Sequence, residues 1–273
     1  MVSRPALLTA LVFVGCGGPS APAATAPDPT ASAQPTAAPP APVAPPEAAD
    51  AGGAEAKADP PAPKEDTSGT PRERLMRSHF KEVNALRKAV IDGAMSATIG
   101  PAETLGNTQA LGTIPPKWQP SLDALSAAAK RFGQSPDLPA ASAAIADIGV
   151  ACGSCHKTGG GPKIQVDAPP AVDKTVASQM KRHAWATERM WDGLYGPSDA
   201  AWKAGADALS ADPFPKEVLA KGGVHARSAA ARFTGLVPTM SSKKSPEDRA
   251  KLYAELLETC SACHLATGGG KKK

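Results

Sequence analysis

Residues 144–156 read AIADIGVACGSCH, and residues 252–264 read LYAELLETCSACH. Ahead of each Cys-x-x-Cys-His run the apolar side chains recur at helical spacing: Ala144, Ile145, Ile148 and Cys152 in the first, Leu252, Leu256, Leu257 and Cys260 in the second. The spacing predicts one helix running into each motif. Ser245-Pro246-Glu247-Asp248 marks the start of the second helix, with a capping Ser, Pro at the first helical position and acids in the first turn. Gly159-Gly160-Gly161 and Gly268-Gly269-Gly270 follow the motifs and stop both helices. Each motif therefore closes a helix, and no strand-like alternation appears nearby.

Further upstream the halves match again. Leu75, Met76, His79, Val83, Leu86 and Val90 form one apolar stripe, and Met180, His183, Thr187, Met190 and Leu194 form another. Both stripes carry Met-x-x-His, and both lead to an Asp-Gly pair, Asp92-Gly93 and Asp192-Gly193. An Ala-rich segment ending in Arg-Phe lies between stripe and motif in each half, residues 127–132 and 229–233. This is a tandem repeat of about 100 residues. One detail does not close: the Met-x-x-His pairs are 104 residues apart and the Asp-Gly pairs 100, a difference of about one helical turn.

Apart from Cys16, all the cysteines fall in the two motifs. Two thiols separated by two residues suit thioether bonds to the two vinyl groups of a haem, and the following histidine suits the iron. The expected cofactor is two covalent haems c, on Cys152 and Cys155 with His156 as proximal ligand, and on Cys260 and Cys263 with His264. A four-cysteine zinc site would have to join distant pairs and leave a histidine idle beside each. A thioredoxin-like centre would need a βαβ pattern that the sequence lacks.

Only nine residues follow His264, and none is Met or His, so a protein ligand for the open side of that iron must come from upstream. His79 and His183, on the stripes that open each half, are the candidate distal ligands. Met76 and Met180 lie one turn away and offer His/Met coordination instead; a core histidine beside a five-coordinate iron is the third reading. His225 aligns with Ala124 and reads as a surface or cap residue. Trp118, Trp185, Trp191 and Trp202 read as core around the haems, with electron-transfer stepping stones as the alternative.

Helices with the haem motif at the end of the last one resemble the cytochrome c prime and cytochrome c-556 family of four-helix bundles. The resemblance covers residues 71–165 and 172–268 and implies an all-α chain of two tandem helical-bundle haem domains. It also implies that the first helix supplies the group facing the open side of the iron. The segments 106–120 and 210–223 depart from the family by being long and rich in Pro and Gly.

Residues 1–15 carry Arg4 and an apolar run over 6–14, too short to span a bilayer, and read as an export signal. Phe13-Val14-Gly15-Cys16 resembles a bacterial lipobox, which implies lipidation of Cys16; the alternative is a soluble exported protein with a spare thiol. Residues 16–70 then form a disordered linker, because from residue 17 onward they hold no Leu, Ile, Phe, Trp or Tyr to offset ordering entropy. The first haem domain spans 71–165, the second 172–268, and 269–273 is a basic tail. These features place the chain on the periplasmic side of the bacterial envelope, tethered to a membrane, with the outer membrane expected.

The chain carries +4 overall, but residues 17–70 contribute −5 from seven acids and two lysines, so residues 71–273 carry +8. That bias favours an acidic redox protein as partner, with Lys157 and Lys163 beside the first motif, and nothing points to nucleic acid. The expected function is electron transfer by two six-coordinate haems, without an enzyme's catalytic residues. The competing class is a haem enzyme or sensor, a peroxidase or gas-binding protein, which needs an open iron and, for a peroxidase, acid/base groups near it. Glu82 and Glu188, the acids near the stripes, read as solvent-facing.

Overall fold

A computed structural model describes residues 68–95, 98–107, 114–173, 175–211 and 214–269. The signal, Cys16, most of the linker and Lys271 to Lys273 lie outside the described residues. The described residues are all-α, with no strand among them. The first half holds α1 (Pro71–Asp92), α2 (Ile99–Gly106), α3 (Gln119–Gly133) and α4 (Leu138–Gly159), with a short 3-10 turn at Pro116–Trp118 before α3. The second half holds α5 (Val176–Tyr195), α6 (Asp199–Ser210), α7 (Lys216–Lys221), α8 (Gly223–Met240) and α9 (Pro246–Thr267).

Local chemistry accounts for the helix ends. Thr70 and Glu73 form a reciprocal capping box at the start of α1, with Pro71 behind the cap. Asp137 caps α4 and Ser245 caps α9, each accepting a hydrogen bond from a backbone N–H three residues on. Both motif helices end at a left-handed glycine, Gly160 at φ 77° and Gly268 at φ 70°, as the glycine runs predict.

The two halves share one continuous core. Leu86, Phe132, Ile145 and Ile148 from the first and Met190, Trp191, Leu256 and Leu257 from the second belong to a single buried cluster. Its centre is the pairing of α4 with α9. A groove of about 430 Å³ along their seam is lined by Ala143, Ala146, Ala250 and Ala254, with Glu255 and Glu258 at its edge. α4 is long and apolar enough to cross a membrane, and half of that stretch is buried inside the fold.

Each half's first helix packs on the other half's motif helix. The end of α1 lies on α9, where the Ser261 hydroxyl donates to Val90 O and Leu265 covers Gly93. The end of α5 lies on α4, where Gly149 faces the Trp191 ring and Gly153 faces Leu194 O. The start of α1 sits near the end of α4 through Trp118, whose indole faces Gly159 and carries the Arg72 guanidinium at 5.0 Å. So the two motifs meet α1 at opposite ends, separated by about 27 Å of helix between Arg72 and Val90.

These contacts resolve the one-turn discrepancy. Val90 and Leu194 are equivalent by their contacts, and they are 104 residues apart, as are His79 and His183. The Asp-Gly pairs are not equivalent: Gly93 is the left-handed cap of α1, whereas Gly193 is buried within α5 against Trp202.

A shared core should unfold as one unit. Leu86→Ala, at a fully buried position of α1, is expected to lower stability by about 2–5 kcal/mol. Hydrogen exchange should report the loss on α9 as well as on α4. Protection lost in the first half alone would show two independent cores.

Candidate functional site

The first motif occupies the last two turns of α4. Cys152, Cys155 and His156 are all half-buried, and both thiols are free. His156 Nδ1 lies 2.6 Å from Tyr195 O, at the end of α5. A carbonyl oxygen only accepts, so Nδ1 carries a proton, and in the neutral ring the lone pair is then on Nε2. This is the arrangement that metal-binding histidines adopt when a backbone carbonyl fixes their tautomer. The Tyr195 ring stands edge-on to His156 at 6.0 Å and packs on Phe80 at 5.1 Å. Phe80 follows His79 in α1, so the stretch carrying His79 lies at this end of the fold. His79 is buried, and burial lowers its pKa, which keeps the imidazole neutral.

The second motif repeats the pattern on α9. Cys260 is half-buried and Cys263 buried, again as free thiols, and His264 is half-buried. Here the histidine differs: His264 Nδ1 is buried with no hydrogen-bond partner. His183 stacks on Phe233 at 5.5 Å and meets Phe214 edge-on at 5.3 Å. Gly222, which precedes α8, lies against Thr267 at the end of α9, so the α7–α8 corner closes the second motif's end. Met76 and Met180 are half-buried, and His225 is exposed in the first turn of α8.

Burial pushes the Cys152 and Cys260 thiols up to about 12. Both remain protonated at neutral pH, unlike the lowered thiols of redox-exchange centres. Among the described residues no three His, Cys, Asp or Glu side chains converge on a metal position, and the two cysteine pairs stand at separate ends of the fold. The residues present fit a group that takes two thiols and one imidazole from a single helix end, with Nε2 of His156 available to iron.

Two features of the interior were not legible in the sequence. Arg87 is only 4% exposed. It pairs with Glu188 across the halves, its guanidinium lies 5.4 Å over the Trp191 ring, and its Nε and Nη1 have no partner. Glu188, its side chain 45% exposed, faces solvent as expected and also pairs with this buried cation. The other is a file of rings, with Trp191 5.9 Å from Tyr195 and 5.8 Å from Tyr253, leading from the first motif into α9. Of the four tryptophans, Trp191 and Trp202 are fully buried, as expected of core.

No protein-family model, curated protein or solved structure matches the chain. The chemistry of the site is read from its own residues.

The buried cation makes an asymmetric prediction. Glu188→Ala leaves Arg87 uncompensated and is expected to destabilise by about 1–3 kcal/mol. Arg87→Met removes the charge together with its orphaned donors and should be near neutral. Urea midpoints of the two variants check the order; equal losses would mean that the pair acts only through packing.

Proposed function

We propose that the chain is an exported di-haem c-type cytochrome that transfers electrons outside the cytoplasm. The observation that carries the reading is His156, with its Nδ1 proton donated to Tyr195 O and its Nε2 free for iron, one residue after Cys155 and four after Cys152. Thioether formation at Cys152 and Cys155, and at Cys260 and Cys263, would hold the haems, with His156 and His264 on the proximal side. A bound haem supplies a one-electron redox change, and the protein sets its potential by ligand, burial and nearby charge.

In this reading His79 and His183 are the distal ligands, the repeat is a pair of haem-binding helical halves that resemble the cytochrome c prime and c-556 kind but share one core, and no residue is catalytic. The file from Tyr195 through Trp191 to Tyr253 supports an electron carrier, because it gives the interior polarisable rings in near contact. A lipidated Cys16 and the Ala/Pro-rich linker would tether the carrier at the periplasmic side of a membrane. The 54 linker residues give a reach on the order of 100 Å. The basic folded region suits an acidic redox partner.

The competing reading, a gas-binding protein or peroxidase with an open iron, draws on one observation. The His183 ring is held by Phe233 and Phe214, and a histidine fixed in an aromatic cluster can leave the second iron five-coordinate.

Visible, near-infrared and magnetic circular dichroism spectra of the haem-loaded protein, with and without carbon monoxide, separate the two. Low-spin bis-histidine signals from both haems and no carbon monoxide shift are expected, and His183→Ala should open the second site alone. A high-spin haem that binds carbon monoxide in the unaltered protein would remove the two-ligand assignment for that site.

A further inference from the structure

The residue after the first cysteine is Gly153 in one motif and Ser261 in the other, and both are buried. They hold equivalent places, each facing the last turn of the opposite half's first helix. At Gly153 the absence of a side chain is required. A methyl there would overlap Leu194 O and touch Pro197, so α5 lies directly on the α4 backbone. The next carbonyl, Tyr195 O, thereby reaches His156 Nδ1 at 2.6 Å.

At Ser261 a hydroxyl fills the same space. It donates to Val90 O and also lies 2.9 Å from Leu257 O. The residue equivalent to Tyr195 is Ile91, 104 positions earlier, and no hydrogen bond joins its carbonyl to His264, whose Nδ1 is buried without a partner. The hydroxyl bonds to the neighbouring helix end where, in the first motif, the backbones meet and a carbonyl goes to the histidine.

We infer that this Gly/Ser difference sets the two haems apart in reduction potential, with the first lower than the second. The inference rests on the di-haem reading. A histidine that donates its Nδ1–H to a carbonyl is a stronger base at Nε2, and a stronger donor favours the ferric over the ferrous ion. His156 has that acceptor and His264 does not. With a haem bound at each motif, an electron shared between them would rest mainly at the second. Gly153 and Ser261 are positioning residues, acting through His156 and His264.

The test is a potentiometric titration of the full di-haem protein, unaltered and as Gly153→Ser and Ser261→Gly, with proton NMR of the proximal Nδ1–H signals. A haemochrome count comes first: fewer than two haems would overturn the di-haem reading itself, and two haems leave only the inference at stake. Two one-electron waves are expected, apart by about tenfold in the electron's distribution, about 59 mV for one electron, with one slowly exchanging Nδ1–H. Gly153→Ser should abolish that signal and raise the lower wave while leaving the upper wave in place. A lower wave that stays put after the signal is lost overturns the inference, as does a single unsplit wave in the unaltered protein. If Gly153→Ser fails to fold, Ser261→Gly decides. A lowered upper wave supports the inference, and an unmoved one overturns it.

Discussion

α4 and α9 make the most extensive contact between the two halves, and Ile145, Ile148, Leu256 and Leu257 carry that pairing into the single core. α1 runs from near its own half's motif, at Trp118 and Gly159, to the other half's, and α5 ends on the first half's motif helix. The last turn of each helix is held there, where Gly153 faces Leu194 O and the Ser261 hydroxyl donates to Val90 O. A repeat that could have made two separate bundles thus shares one core, and each motif is completed by residues from both halves.

Much of this was legible in residues 144–156 and 252–264. The helical spacing, the Ser245 cap and the closing glycines gave the motif helices and their ends, because those signals act within one or two turns of chain. The stripes through His79 and His183 likewise marked the buried faces of α1 and α5. The exchange of helix ends between halves was not legible, since it depends on how closely two backbones approach across the repeat. The Gly153/Ser261 difference was its one trace. Asp92-Gly93 and Asp192-Gly193 misled for a related reason. A glycine serves equally as a left-handed cap, as Gly93 does, or as a gap for a tryptophan, as Gly193 does for Trp202.

Arg87 shows how the interior departs from a plain apolar core. Its position beside the stripe of α1 gave no sign that it would be buried, because Arg on a helix flank ordinarily reaches solvent. Here Trp191, Tyr253 and Glu188 of the second half close over it.

The central claim is that Cys152, Cys155, Cys260 and Cys263 carry haem, and mass analysis of peptides from protein matured with the c-type haem-attachment machinery tests it most directly. One haem bound through thioethers is expected on the peptide holding residues 152–156 and one on the peptide holding residues 260–264. Free thiols or disulfides at these positions, in protein from cells that load haem onto a control cytochrome, would contradict it.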